Sequence, residues 1–85
     1  MSTISNQKTI FGTFLLKLRF KKRWTLSDLE KETGITASYL NRLENGERKN
    51  PTVIVVYALA SAYNVELKTM VDLIMLDRQE EKIEE

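Results

Sequence analysis

GITASYLNRLENG, residues 34–46, begins and ends on glycine and holds two leucines three positions apart, Leu40 and Leu43. At about 100° per residue those leucines define one side of a helix. Ala37, Ser38, Asn41 and Arg42 then fall on the opposite side, a mixed polar face. Thr36 is a good residue to start such a helix, because its hydroxyl can accept a backbone N–H of the first turn. Asn45-Gly46 suits its end, where the chain turns left-handed. A face like this is either the solvated side of a small bundle or a surface shaped to meet a partner.

Working outward, the segment before Gly34 reads as another helix. Thr25 precedes Leu26-Ser27-Asp28, so a capping threonine has an acid three positions on. That helix runs to about Thr33, and Gly34 stops it. Only Gly-Ile-Thr-Ala separates it from the next one. Two helices joined by so short a glycine-containing turn cross steeply, the helix-turn-helix arrangement. Leu29, Ile35, Leu40 and Leu43 point inward. Further upstream, Ile10, Phe11, Phe14, Leu15 and Leu18 follow helical spacing from Thr9 to about Lys22. Downstream, the polar loop Glu47-Arg48-Lys49-Asn50 leads to Pro51, which suits the first position of a helix. The run from Val53 to Val56 favours a strand by propensity. The following Tyr57-Ala58-Leu59-Ala60-Ser61-Ala62-Tyr63 and a capping Asn64 decide for a helix. A fifth helix starts near Leu67. The expectation is a compact all-α fold of five helices. Residues 1–8 form a flexible arm, 9–76 the helix-turn-helix domain, and 77–85 an acidic tail extending the fifth helix.

Composition narrows the chemistry. The 85 residues contain no cysteine and no histidine, which excludes disulfides, thiolate catalysis and Cys/His zinc sites. No metal and no cofactor are expected. The carboxylates are scattered along amphipathic helices and form no pocket pair, so no enzyme is expected either. No apolar run approaches the ~18 residues of a membrane span, and the N-terminus does not resemble a signal peptide. A soluble cytoplasmic protein is expected. The net charge of +1 hides an asymmetry: residues 77–85 hold five acids and two bases, residues 1–76 seven acids and eleven bases. A basic body suits nucleic acid, because phosphate neutralisation needs local Lys/Arg density; charge alone suits an ordinary surface equally well.

The ordered pattern in Leu18–Pro51 carries more. Leu18-Arg19, the capping Thr25, Leu29, Gly34-Ile35, Leu40, Leu43-Glu44, Asn45-Gly46 and Asn50-Pro51 resemble the DNA-binding domain of phage repressors and Cro, the xenobiotic-response-element family with the lambda-repressor-like fold. The resemblance extends from Phe11-Gly12 to Asn64–Met70, about 60 of the 85 residues. It implies a bacterial or phage transcriptional regulator, a repressor that binds double-stranded DNA as a homodimer on a palindromic operator, with the third helix in the major groove. Arg19 and Glu44 match a structural salt bridge. Thr25, Thr36, Asn45, Arg48 and Lys49 match positions that meet phosphates. Ala37, Ser38, Asn41 and Arg42 fall to base reading, with Arg42 suited to guanine. Three residues depart from the family pattern. Leu26 stands where glutamine is common, Glu30 where a small residue is usual, and Ala37 where a long polar side chain is common.

The chain also carries more apolar surface than a minimal five-helix domain needs. Leu16 and Phe20 lie away from the buried stripe of the first helix. Ile54, Ala58 and Ala62 recur at every fourth position of the fourth helix. Val71, Ile74 and Met75 follow in the fifth. Either the fifth helix folds back over this surface, or it is a dimer interface, or it meets another protein, as in an antitoxin or the partner of a second regulator.

Overall fold

Four threonines begin four helices. The computed structural model describes residues 8–83 and gives five helices: α1 (Ile10–Lys22), α2 (Leu26–Thr33), α3 (Ala37–Asn45), α4 (Val53–Tyr63) and α5 (Leu67–Ile83), with no strand among the described residues. Most of the arm expected at 1–8 and the last two residues of the tail lie outside the described residues. The hydroxyls of Thr9, Thr25, Thr36 and Thr52 accept from Gly12, Asp28, Tyr39 and Val55 N–H respectively, satisfying donors that a helix start leaves without intrahelical partners. At the other ends the chain turns left-handed at Arg23, Gly34, Gly46 and Asn64.

Pro51 does not open α4, contrary to the sequence expectation. Thr52 is the cap and the helix starts at Val53, so Pro51 lies one residue before the cap. Asn50, the cap that a helix beginning at Pro51 would need, is engaged elsewhere: its Oδ1 accepts from Arg78 Nη1 at 2.7 Å. The Val53–Val56 run is helical against its propensity. Val56, Leu59, Ala60 and Tyr63 then reach the core together, and that burial outweighs a few tenths of a kcal/mol per β-branched residue.

The core joins Phe11 and Leu15 of α1, Leu29 of α2, Leu40 and Leu43 of α3, the α4 residues and Met70 of α5. Two features fix α1 against its neighbours. Gly12 sits so close to α3 that a Cβ there would collide with the carbonyl oxygens of Leu43 and Glu44. Asp77 of α5 reaches the start of α1, where its two oxygens accept from Ile10 N–H at 2.8 Å and Phe11 N–H at 3.1 Å. A carboxylate there also complements the positive end of the helix dipole. Asp77, the first residue of the acidic tail, thus lies within α5 and belongs to the packing of the domain.

Candidate nucleic-acid interface

Helix α3 has two chemically distinct sides. Leu40, Leu43 and Glu44 are buried; Ser38, Asn41 and Arg42 are exposed and Ala37 half-buried. The buried glutamate is the unusual one. Arg19 Nε and Nη2 donate to Glu44 Oε2 and Oε1 at 2.8 and 2.9 Å, a bidentate pair, and Arg19 Nη1 donates to the Trp24 carbonyl at 3.0 Å. One guanidinium therefore ties α1, the α1–α2 turn and α3 together, and its hydrogen bond to Glu44 holds its pKa above the usual arginine value. The side chains are 13% and 3% exposed, so each charge depends on the other. Together with Gly12, this pair sets the angle at which the polar side of α3 is presented.

The four α3 residues lie on one face. Asn41 is exposed and partly occupied: its Oδ1 accepts from Asn45 Nδ2 at 3.4 Å, and its amide N–H groups make no hydrogen bond among the described residues. Arg42 is exposed, and its side chain makes no hydrogen bond among the described residues. At the start of α3, Tyr39 N–H donates to the Thr36 hydroxyl at 3.2 Å and Ala37 N–H to Glu30 Oε1 at 3.0 Å. Ser38 N–H remains without a partner among the described residues.

At the start of α2 the arrangement differs from what Thr25 alone suggests. Thr25 N–H donates to Asp28 Oδ2 at 2.8 Å and Asp28 N–H to the Thr25 hydroxyl at 3.0 Å, a closed capping box. The backbone hydrogen bond from Thr25 holds the Asp28 carboxyl below the usual carboxylate range. Thr25 therefore offers no free N–H to a phosphate, and a negative group sits beside it. The open donors at this end are the N–H groups of Leu26 and Ser27, while the Leu26 side chain packs against the core.

Beyond α3, Glu47 and Arg48 N–H donate to the Arg42 carbonyl at 2.9 and 3.2 Å. These bonds fold the loop back against the helix end, and Tyr39, Glu47, Arg48, Lys49 and Asn50 line a shallow cleft there. Arg48 and Lys49 thus follow directly on the C-terminus of α3, opposite in position to Thr36 at its N-terminus. Sequence reading missed three contributors: Glu30, Ser27 and Arg78. Glu30 was visible as a departure from the family pattern, but its hydrogen bond to Ala37 was not.

The apolar surplus is only partly covered by α5. Leu73, Ile74 and Ala62 pack against the core on one side and stay half-buried. Ala58 is half-buried. Val53, Ile54 and Tyr57 of α4 remain 75%, 79% and 62% exposed, and Val71, Met75 and Leu76 of α5 are exposed too. Pro51, Val53, Val56, Leu67, Val71 and Ile74 line an apolar groove between the two helices. No described helix is long and apolar enough to cross a membrane, and no cluster of metal-ligating residues occurs among the described residues.

A helix-turn-helix family model matches residues 15–69. The chain is 39% identical over 70 residues to the HTH-type transcriptional regulator y4dJ of Sinorhizobium fredii, covering 79% of this chain and 90% of that protein. It is 31% identical to the HTH-type transcriptional regulator SutR of Escherichia coli, where the match covers 80% of this chain but 38% of SutR. Its fold is that of SinR of Bacillus subtilis, solved in complex with DNA, at TM-score 0.68 and 24% identity over 72% of this chain and 97% of that one.

Proposed function

The chain belongs to the helix-turn-helix family of transcriptional regulators, and on that premise we propose that it is a sequence-specific DNA-binding repressor. It acts as a homodimer on a palindromic operator, with α3 in the major groove. The observation that carries this reading is the divided α3: an exposed Ser38, Asn41 and Arg42 set against a buried Leu40, Leu43 and Glu44 that hold the helix at one angle.

In this reading Arg42 donates bidentately to guanine O6 and N7, Asn41 presents its amide, Ser38 its hydroxyl, and Ala37 a methyl surface for thymine. Phosphates are met by Thr36 and Asn45, by the loop cations Arg48 and Lys49, and at the start of α2 by the N–H groups of Leu26 and Ser27 beside Thr25. A single module covers roughly 600–1,000 Å² of DNA interface, too little for tight specific binding. Two copies related by a two-fold axis read two half-sites, and the exposed residues of α4 and α5 supply the apolar surface for pairing.

Selection of binding sites from random duplexes tests the proposal. The expected result is an enriched palindrome. Arg42→Ala should then relax preference at one base pair per half-site, by about 1–3 kcal/mol, while Arg48→Ala should weaken all sequences alike and lower the salt slope by about one. Equal losses for Arg42→Ala on operator and random DNA would remove its base-reading role. The exposed α4–α5 face also favours a second reading, a module that docks another protein. Stoichiometric capture of one partner, with no DNA retained at low salt, would select it.

A further inference from the structure

Helix α3 begins with a residue that has almost nothing to read with. Ala37 offers only a methyl group, at the end of the recognition helix whose residues meet base edges. The structure brings a polar group to that spot from the neighbouring helix. Glu30 of α2 is exposed, and its Oε1 accepts the Ala37 N–H at 3.0 Å across the turn. The bond restrains one oxygen. The other, Oε2, makes no hydrogen bond among the described residues. The carboxylate is therefore anchored at the first residue of α3 with an acceptor left over, and part of the entropy of ordering a long side chain is already lost before any partner arrives.

We propose that Glu30 is a specificity-determining residue of the DNA interface, its free oxygen accepting from the N4 amino group of a cytosine beside the Ala37 end of α3. This rests on the DNA-reading function proposed above. An ionised carboxylate is acceptor-only. In the major groove it pairs with the cytosine amino group and is repelled by guanine O6 and N7 and by thymine O4. A direct reader on α2 also resolves the sparse chemistry of the α3 face, where Arg42 alone has a strong base preference.

The experiment is binding-site selection with the full chain as wild type, Glu30→Ala and Glu30→Gln, followed by affinities on the selected site and on single-base variants. The wild type should select a cytosine at one position per half-site that Arg42→Ala leaves unchanged, and replacing it should weaken binding roughly tenfold. Glu30→Ala should abolish preference at that position alone. Glu30→Gln should move it toward adenine, because an amide pairs with adenine N6 and N7. A Glu30→Ala protein that binds all sequences more weakly with an unchanged preference at every position would make Glu30 a cap of α3 only and overturn the inference. Absence of any enriched site with the wild type would overturn the DNA-reading function itself, which is a separate result.

Discussion

The α3 face and the α4–α5 face are built on opposite principles. The first is small, polar and held in place by named bonds: the Arg19–Glu44 pair, the Glu30–Ala37 bond, the Thr36 cap and the close approach at Gly12. The second is wide and apolar, and few polar contacts cross it. A surface that reads by hydrogen bonds must be aimed, because such bonds weaken steeply with misalignment. A surface that associates by apolar area needs extent more than angle, because that attraction is non-directional. The two faces should therefore respond to different substitutions.

The hardest blow to the aimed face is Glu44→Ala. It leaves the Arg19 guanidinium largely buried with one carbonyl contact, and breaking a buried pair costs about 3–5 kcal/mol. For a domain of this size that is much of the total stability. Urea unfolding should show the loss. Changing both partners, Arg19→Met with Glu44→Leu, should recover much of it, because no charge is then stranded. A Glu44→Ala protein of unchanged midpoint would mean that Gly12 and the core alone aim α3.

On the broad face the expectation inverts. Ile54 is 79% exposed, so Ile54→Asp should change the stability of a single copy by less than about 0.5 kcal/mol. On the homodimer reading proposed above, its effect belongs to assembly. Sedimentation should show the mass fall from two copies to one, and operator affinity should drop at least tenfold while affinity for a half-site stays level. Unchanged mass with Ile54→Asp would place the pairing surface elsewhere and break the comparison.

The helix order was legible because its signals are local. Thr9, Thr25 and Thr36 cap the helices they precede in sequence, and Gly34, Gly46 and Asn64 end them within one residue of where the chain turns. The inward side of α3 followed from Leu40 and Leu43 alone. Long-range polar partners were not legible. Asp77 reads as the first residue of an acidic tail, yet it serves the start of α1, 66 residues away. Pro51 stands one residue before the cap because Thr52, not Asn50, caps α4. Glu30 stands where the family pattern has a small residue. Its bond to Ala37 N–H depends on a turn geometry that spacing does not specify. The Arg19–Glu44 pairing came only through the family resemblance. No periodicity links position 19 to position 44.

A smaller effect joins the two regions. Arg78 of α5 donates to Asn50, the residue that follows Arg48 and Lys49. Both partners are exposed, so Arg78→Ala should cost no more than about 1 kcal/mol. Hydrogen exchange at the Glu47 and Arg48 amides should quicken, and affinity should fall a few-fold on operator and random DNA alike. Unchanged exchange there would separate the loop from α5.

Tyr63→Phe should have the smallest effect, and its sign is informative. Tyr63 is buried, its ring lies 5.6 Å from that of Trp24, and its hydroxyl has no hydrogen-bond partner among the described residues. Burial, reinforced by the Glu44 charge, pushes the phenol well above its usual pKa. An unpaired buried hydroxyl costs about 1–3 kcal/mol of desolvation, whereas phenylalanine keeps the ring and its packing. The substitution should therefore be neutral or raise the urea midpoint slightly. The opposite sign, a loss above about 1 kcal/mol, would mean that the hydroxyl is satisfied by a bound water and helps to hold the Arg19–Glu44 tie. The polar network that aims α3 would then extend into α4, the helix that carries the apolar face, and the two faces could no longer be treated as independent.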